Sequence, residues 1–257
     1  MKACRLSPLL LLISTLAWSA PNQLTLAAAS DLTFALTEIT HRFEQKTGSQ
    51  VRLSFGSSGN FFAQLQNGAP FDVFFSADVE YPRKLAVDGA AISSTLWVYG
   101  TGRIVLWVPA GSPIDLSKMG MRALLDASVK RIAIANPAHA PYGRAAVAAL
   151  QSFKLYDQLR DKLVLGENIS QAAQFVESGN AQIGILALSL ARAPTLKGKG
   201  TAWEIPADSY PRIEQAAVVP KAAPNQALAR AFLDYMRTPE ARTVLRQYGF
   251  QTPEGKP

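Results

Sequence analysis

Small residues crowd the junction between an extended apolar segment and an aromatic-rich helical pattern. Val51-Arg-Leu-Ser-Phe55 alternates apolar and polar residues, as a strand does, and Gly56-Ser57-Ser58-Gly59-Asn60 follows it directly. A tight turn needs only one or two such residues. Glycines let a backbone approach a ligand closely, and serine hydroxyls and the N–H groups of a starting helix are hydrogen-bond donors. This surplus predicts a ligand loop centred on Ser58.

Three further junctions between predicted strands and helices carry small or amide side chains. They are Ser30-Asp31, the turn Asn136-Pro-Ala-His-Ala-Pro-Tyr-Gly143 and Gly166-Glu-Asn-Ile-Ser170. Each alone is typical of an ordinary helix N-cap. Together they favour one site, because ligands of open α/β sheets lie where strands end and helix N-termini attract anions. Arg144 is the nearest basic residue, so such an anion would be held mainly by neutral donors.

Residues typical of catalysis or metal binding are scarce. The two histidines are His41, predicted to be a solvated helix residue, and His139, in a loop without a recognisable acid or serine partner. Gly56–Gly59 superficially resembles a nucleophile elbow, but it departs from the Gly-x-Ser-x-Gly spacing and the sequence offers no base. No cluster has metal-ligand spacing, and no glycine pattern is typical of nucleotide binding. The sequence therefore predicts no enzyme activity and no cofactor.

The first 20 residues are typical of an export signal. Lys2 and Arg5 precede the apolar run Leu6–Trp18, and small residues follow it. The run is shorter than the roughly 20 apolar residues that span a bilayer. Cleavage would also remove Cys4, the only cysteine, so neither a disulfide nor a thiolate site is expected. We therefore predict an exported protein whose signal peptide is residues 1–20, with cleavage after Ala17 as the alternative, because Pro21 would hinder cleavage after Ala20.

The charge balance of the chain is mildly basic. It has 26 Lys and Arg against 19 Asp and Glu, a net charge of +7, and removal of Lys2 and Arg5 leaves 24 against 19, or +5. The nearest thing to a basic run is Lys197-Gly-Lys199. Nucleic-acid-binding proteins usually have a basic stripe with interleaved aromatic residues, and none is visible. The balance predicts no nucleic-acid partner and is compatible with small anions.

Hydrophobic patterns place the four junctions in an alternation of strands and helices. Apolar residues repeat at helical spacing from Leu32 to Phe43, and Gly48 closes that helix. Thr238-Pro239 has the N-cap and first-turn pattern of a final helix. The alternation predicts parallel sheets covered on both faces by helices. The predicted strands are Leu24–Ala29, Gln50–Phe55, Asp72–Ser76, Arg103–Val108, Arg131–Ala135, Val164–Gly166, Gln182–Leu188 and Ala216–Val219.

Several segments, taken in order along the chain, resemble the periplasmic molybdate-binding proteins of ABC transporters. They are Leu24-Thr-Leu-Ala-Ala-Ala-Ser-Asp-Leu32, Ser54-Phe-Gly-Ser-Ser-Gly59, Gly68-Ala-Pro-Phe-Asp-Val-Phe-Phe-Ser-Ala-Asp78, Asn136–Gly143, Gly166–Ser170 and Tyr248-Gly-Phe250. The resemblance covers essentially the whole chain beyond the export signal. It implies an α/β fold of the type II binding-protein class, in which two lobes, each a mostly parallel sheet flanked by helices, enclose a ligand cleft.

The resemblance also implies where the chain divides and what it serves. Chains of this class cross between lobes twice, which places lobe one at residues 21–102 plus 212–257 and lobe two at 103–211. Gly100-Thr-Gly102 is expected to supply flexible backbone at the first crossing. The implied protein is a periplasmic, monomeric carrier of molybdate or tungstate. Its implied partner is an inner-membrane ABC permease.

Carried over position by position, the resemblance assigns the oxyanion contacts. Ser30 and Ser58 would donate through hydroxyl and backbone, and Tyr142 and Ile169 through backbone N–H groups, with no direct metal ligand. Asp31 departs from what a dianion site requires, because its carboxylate would be repelled. We expect its side chain to turn away and cap the following helix, while its N–H faces the ligand.

Two further departures concern tyrosine. Ala187 stands where the family's best-studied branch has a tyrosine hydroxyl donor, and Tyr142 replaces an alanine of that branch's Pro-x-Gly turn. The Tyr142 hydroxyl either replaces the missing donor or has a packing role, and the sequence leaves both interpretations open. The alternative functions are a carrier of another tetrahedral oxyanion, such as sulfate or phosphate, and an exported hydrolase that rests only on Gly56–Gly59.

Overall fold

Ten strands make up the sheets of the computed structural model, which describes residues 22–253. The predicted signal peptide lies outside the described residues. The strands are β1 (Gln23–Ala29), β2 (Gln50–Gly56), β3 (Val73–Ser76), β4 (Trp97–Gly102), β5 (Ile104–Pro109), β6 (Ile132–Ala135), β7 (Leu163–Gly166), β8 (Ile183–Ala187), β9 (Gly200–Glu204) and β10 (Ile213–Val218).

Helices follow most of these strands. They are α1 (Thr33–Thr47), α2 (Ser58–Gln66), α3 (Glu80–Val87), α4 (Leu116–Met119), α5 (Pro141–Ser152), α6 (Tyr156–Leu159), α7 (Ile169–Glu177), α8 (Leu188–Ala191), α9 (Gln226–Met236) and α10 (Pro239–Gln247). A 3₁₀ turn, Ser30–Leu32, leads from β1 into α1. No helix among residues 22–253 has both the length and the apolar character needed to span a membrane.

Two mixed sheets, flanked by helices, form two lobes. Their strand orders are β2-β1-β3-β10-β4 and β7-β6-β8-β5-β9. In the first sheet β1 pairs in parallel with β2 and β3, whereas β10 pairs antiparallel with β3 and β4. In the second, β6 pairs in parallel with β7 and β8, whereas β5 pairs antiparallel with β8 and β9. The predicted two-lobed α/β fold is confirmed, but each sheet is half antiparallel rather than mostly parallel.

The antiparallel pairs arise where the chain passes from one sheet to the other. β4 ends at Gly102 and β5 begins at Ile104, so one extended segment contributes a strand to each sheet. A parallel neighbour needs a long crossover connection, usually a helix, on the same sheet. Strands that arrive from the other sheet need no such crossover and can therefore pair antiparallel.

The glycines before the first crossing are ordered, which corrects the expectation of flexible backbone there. Gly100 and Gly102 lie in β4, and between them Thr101 exchanges two backbone hydrogen bonds with Gln251, of 2.8 and 3.0 Å. Sequence patterns missed both this strand and β9, because glycine disfavours strands and β9 is largely exposed. Both strands form because backbone hydrogen bonds to neighbouring strands compensate for the weak strand signal of their own sequences.

Each lobe has its own large core. In the first lobe α1 packs its apolar face, including the fully buried Leu36 and Ile39, against the sheet, and Gly48 closes the helix at φ +68° as predicted. In the second lobe β6 is buried throughout and α7 packs Ala172 and Val176 on its sheet. In each lobe the core holds the ends of the strands in place. The N-termini of the helices that follow these strands are held in place with them.

Candidate functional site

Ser30 and Asp31 lie where β1 ends, in the turn that leads into α1. Their side chains are almost completely buried, at 2% and 1% exposure. The Ser30 hydroxyl donates to Asn168 Oδ1 at 3.2 Å and accepts from the Ser170 N–H at 3.3 Å, both at the start of α7. The end of β1 in one lobe therefore contacts a helix N-terminus of the other.

Ser57 and Ser58 have different roles at the start of α2. Ser57 is the N-cap, and its Oγ accepts from the Asn60 N–H at 3.4 Å. Ser58 is fully buried, and its Oγ accepts from the Ala77 N–H at 2.9 Å. Because a hydroxyl can accept and donate at once, this bond leaves the Ser58 hydrogen free to donate to a ligand. The sequence-based choice of Ser58 as the central donor fits this geometry.

Tyr142 is the second residue of α5, after Pro141. Proline at the first position carries no N–H, so Tyr142 supplies the first backbone donor of the helix. The next residue, Gly143, allows α5 to start against the end of β6: a Cβ there would lie 2.2 Å from the carbonyl oxygen of Ala135. The close approach holds the α5 N-terminus at the carboxyl end of its strand.

Ile169 is the first residue of α7 and is 3% exposed. Asn168 precedes it as the N-cap, with Oδ1 accepting from the Gln171 N–H at 3.1 Å as well as from Ser30. The Ile169 N–H lies in the first helical turn and has no partner within its own helix. It is thus available to a ligand between the lobes.

One small cavity is lined by all five residues that the sequence assigned: Ser30, Asp31, Ser58, Tyr142 and Ile169. Its free volume is about 10 Å³, roughly the room of one water molecule. The N-terminal ends of α2, α5 and α7 meet here, with their unpaired N–H groups and the positive ends of their dipoles. Such a convergence suits a small anion.

The Asp31 side chain does not cap α1, which corrects the expectation from the sequence. Its Oδ2 accepts from the Tyr142 hydroxyl at 2.8 Å and from Gln215 Nε2 at 2.7 Å. Gln215 Nε2 also donates to the Tyr142 hydroxyl at 2.9 Å, and Tyr99 donates to Gln215 Oε1 at 2.7 Å. The carboxylate is instead part of a buried network that joins the lobes through Tyr142 and Gln215.

Burial dominates the electrostatics of this network. It raises the pKa of Asp31 from 3.8 to about 6, against the opposing effect of the hydrogen bonds from Gln215 and Tyr142. Burial, and then the nearby Asp31, hold the pKa of the Tyr142 hydroxyl well above its usual value. Asp31 Oδ1 is buried and has no hydrogen-bond partner among the described residues.

The Tyr142 hydroxyl is occupied by Asp31 and Gln215, so its role in this structure is to tie α5 to the lobe that contains β1 and β10. Ala187, which the resemblance sets against a tyrosine, is the buried last residue of β8. Two residues later, Ser189 donates its hydroxyl to the Asp31 carbonyl at 2.7 Å. Neither the role of Ser189 nor that of Tyr99 was indicated by the sequence. Gln215 offered one signal, a polar residue inside the apolar strand Ile213–Val218.

Arg144 lies outside the lining of the small cavity. Its guanidinium pairs with Asp78 at 2.6 Å and donates to the Tyr81 hydroxyl at 3.3 Å. Both partners belong to the other lobe, so Arg144 bridges the mouth of the cleft. The small cavity is thus lined without a basic side chain, as the sequence predicted for the loops.

His139 has partners that the sequence did not reveal. Its Nδ1 lies 2.9 Å from Ser57 Oγ, and its Nε2 lies 3.5 Å from Glu167 Oε2. The backbone carbonyl of His139 accepts from the Gly59 N–H at 3.0 Å. The base that the hydrolase alternative lacked in the sequence is therefore present beside Ser57, a helix-capping serine, and not beside Ser58. Proximity across two loops leaves no signal in sequence spacing.

No group of three or more His, Cys, Asp and Glu residues that could hold a metal ion occurs within residues 22–253. The donors around the cavity are hydroxyls and backbone N–H groups, which bind oxygen atoms of an anion rather than a metal centre.

The chain is similar in sequence and in structure to known bacterial binding proteins. The profile of the bacterial extracellular solute-binding protein family matches residues 24–251. The molybdate-binding protein ModA of Rhodobacter capsulatus is 39% identical over 234 residues, 91% of this chain and 90% of that protein. ModA of Escherichia coli is 34% identical over 234 residues, 89% of each. The solved periplasmic molybdate-binding protein of Azotobacter vinelandii superposes with a TM-score of 0.84 at 34% identity, covering 90% of this chain and 100% of that one.

Proposed function

This chain belongs to the bacterial extracellular solute-binding protein family, and from that premise we propose that it captures molybdate, or its close analogue tungstate, for an ABC transporter. The observation that carries the proposal is the small cavity between the lobes that is lined by Ser30, Ser58, Tyr142 and Ile169. Similarity to molybdate-binding proteins over about nine-tenths of the chain supports molybdate as the ligand.

The proposed contacts are hydrogen bonds to the oxygens of a tetrahedral dianion. Ser58 donates its free hydroxyl hydrogen, and the N–H groups of Ser58, Tyr142 and Ile169 donate from three helix N-termini. Ser30 turns its hydroxyl from Asn168 towards the anion, and gives up a bond of 3.2 Å to do so. A hydrogen bond to a charged group is worth about 1.5–3 kcal/mol, so several rigid neutral donors support tight binding without a lysine or arginine.

The proposed setting is the periplasm. The protein is exported by residues 1–20, which are then removed, and it works as a monomer that delivers the bound anion to an inner-membrane permease. It carries the anion without catalysis and without a cofactor. Membership of an extracellular solute-binding family supports export and a membrane partner.

The experiment that tests the proposal is a ligand panel on the purified chain without residues 1–20. We expect molybdate and tungstate to raise the melting temperature strongly, and sulfate and phosphate to raise it little, because only a ligand that binds the folded state stabilises it. A larger shift with sulfate or phosphate would replace molybdate by that anion. Turnover of a generic ester that is lost in His139→Gln would instead favour the hydrolase alternative.

A further inference from the structure

The cavity contains one group that is ill suited to a dianion. Asp31 is 1% exposed and lines the cavity together with Ser58 and Tyr142. Its Oδ2 accepts two hydrogen bonds, from Tyr142 and Gln215, whereas its buried Oδ1 has no partner among the described residues. An unpartnered carboxylate oxygen at an anion cavity needs either a donor or a proton.

Within the part of the chain that the structure describes, no cation compensates the charge of Asp31. The side-chain groups that bond to the carboxylate are the Tyr142 hydroxyl from α5 and the Gln215 amide from β10, with Tyr99 of β4 behind Gln215, and the backbone N–H groups of Asp31 and Leu32 also lie close to it. All of these are neutral, and no Lys or Arg among residues 22–253 forms an ion pair with Asp31. A bound dianion would therefore meet an uncompensated like charge in a medium of low dielectric constant.

A proton on Oδ1 removes this conflict and supplies the missing donor. We propose, on the basis of the molybdate-carrier function, that Asp31 binds the anion as a neutral carboxylic acid whose O–H donates to one of the anion's oxygens. Oδ2 already accepts two donors, so Oδ1 is the oxygen that takes the proton. The proton comes from solvent and no other bond changes, so binding to the ionised protein takes up one proton.

The electrostatics of the free protein support this assignment. Burial raises the pKa of Asp31 to about 6, so the ligand-free carboxyl is mostly ionised at pH 8. A dianion within hydrogen-bond distance raises that pKa further, because like charges disfavour the ionised form. Above that pKa, part of the binding free energy is used to protonate Asp31, so the affinity for the anion falls as the pH rises.

The experiment is calorimetric titration of the chain without residues 1–20 with sodium molybdate, at pH 6 and pH 8, in two buffers of different ionisation enthalpy. At pH 8 we expect uptake of close to one proton. The affinity should be about fiftyfold lower at pH 8 than at pH 6, as expected when one group with a pKa of about 6 must be protonated for binding.

Asp31→Asn is the matched variant, because its amide keeps an acceptor for Tyr142 and Gln215 and presents a permanent N–H donor in place of the acid O–H. We expect its binding to be proton-neutral, independent of pH, and at least tenfold tighter than the wild-type protein at pH 8. His139→Gln is the control: it removes the imidazole near the cleft, and the proton uptake should persist.

Each outcome decides the proposal. Molybdate binding by the wild-type protein with no proton uptake and no pH dependence overturns the role of Asp31 and leaves the carrier function intact. If the proton uptake disappears in His139→Gln, it belongs to His139, and the proposed role of Asp31 is overturned. Absence of molybdate binding at both pH values overturns the carrier function and this inference together. The wild-type measurements decide the matter even where Asp31→Asn fails to fold.

Discussion

At the scale of single residues, the site depends on neutral donors whose other hydrogen bonds orient them. Ser58 accepts from the Ala77 N–H, and this bond directs its remaining hydrogen, while Ser57 next to it serves the helix cap. Of these two adjacent serines, Ser58 thus faces the ligand and Ser57 has a structural role. The same division holds for Asn168, which caps α7, and Ile169, whose backbone N–H is left for a ligand.

Ser58→Ala should weaken molybdate binding about ten- to a hundredfold, because one hydrogen bond to a charged group is worth about 1.5–3 kcal/mol. The loss of the Ala77 bond should lower stability only modestly. Calorimetric titration measures the affinity, and Ser57→Ala is the matched control, with a larger effect on stability than on affinity. Wild-type affinity in Ser58→Ala would remove this hydroxyl from the site.

Asp31→Asn should also change the stability of the ligand-free protein in a pH-dependent way. Burial raises the pKa of Asp31 from 3.8 to about 6, so the folded state holds this proton more tightly than the unfolded chain. Stability therefore falls as the pH rises through that interval and stays lower above it. A shift of about two pKa units corresponds to about 3 kcal/mol.

We accordingly expect Asp31→Asn to melt at a higher temperature than the wild-type protein at pH 8, and the difference to vanish near pH 4. Thermal melts across this range measure it, with the exposed Asp161→Asn as control. An equal difference at both pH values would show that the change acts through packing rather than through charge.

At the scale of elements, the absence of a side chain at the end of β4 leaves space for the hydrogen-bond network that joins the lobes. A Cβ at Gly102, the last residue of β4, would lie 2.1 Å from the Tyr142 hydroxyl and 2.7 Å from Gln215 Nε2. Glycine here lets α5 approach the strand closely enough for Tyr142 to reach Asp31. One residue at a strand end therefore decides whether the lobes can be bridged beneath the cavity.

Gly102→Ala should displace the Tyr142 side chain, lower stability by about 1–3 kcal/mol and weaken molybdate binding. Gly100→Ala in the same strand is the control, because its Cβ would meet nothing closer than 3.3 Å. Chemical unfolding and calorimetric titration measure the two effects. Equal behaviour of the two variants would contradict the importance of the Tyr142 position.

At the scale of the whole molecule, the lobes are held together by bonds between protein groups. Asp31 bonds to Tyr142 within the cleft, Arg144 pairs with Asp78 at its mouth, and Gly59 donates to His139 on the α2 side. We propose that lobe one is residues 21–102 plus 212–257 and lobe two residues 103–211. The switch from β4 to β5 around Arg103 supports the first of these boundaries.

Ligand should shift the population towards the closed arrangement, because its donors come from both lobes. We expect small-angle scattering to show a smaller radius of gyration with molybdate than without it. Arg144→Met, which loses the bridge to Asp78, should enlarge the radius of the free protein and leave that of the complex unchanged. Arg237→Met, which breaks a surface pair with Asp234 at the end of α9, is the control. One radius for all four free and bound states would mean that the cleft does not open.

The sequence by itself determined the local features of this protein. Periodicity located α1 and its core face, and Gly48 marked its end, because helix geometry and caps depend on residues a few positions apart. The small residues at strand ends indicated an anion site, and the order of motifs along the chain indicated the family. The five candidate residues came from these two sources, and they lie around one cavity.

Only the tertiary structure decided what lies between distant segments. The Asp31 carboxylate has its partners 111 and 184 positions away, in Tyr142 and Gln215, and His139 meets Ser57 from 82 positions away. Strands β4 and β9 likewise depend on their neighbours in the sheet. Hydrogen bonds between buried polar groups are strong and specific, yet sequence spacing records nothing of them, because loops of any length can bring such groups together.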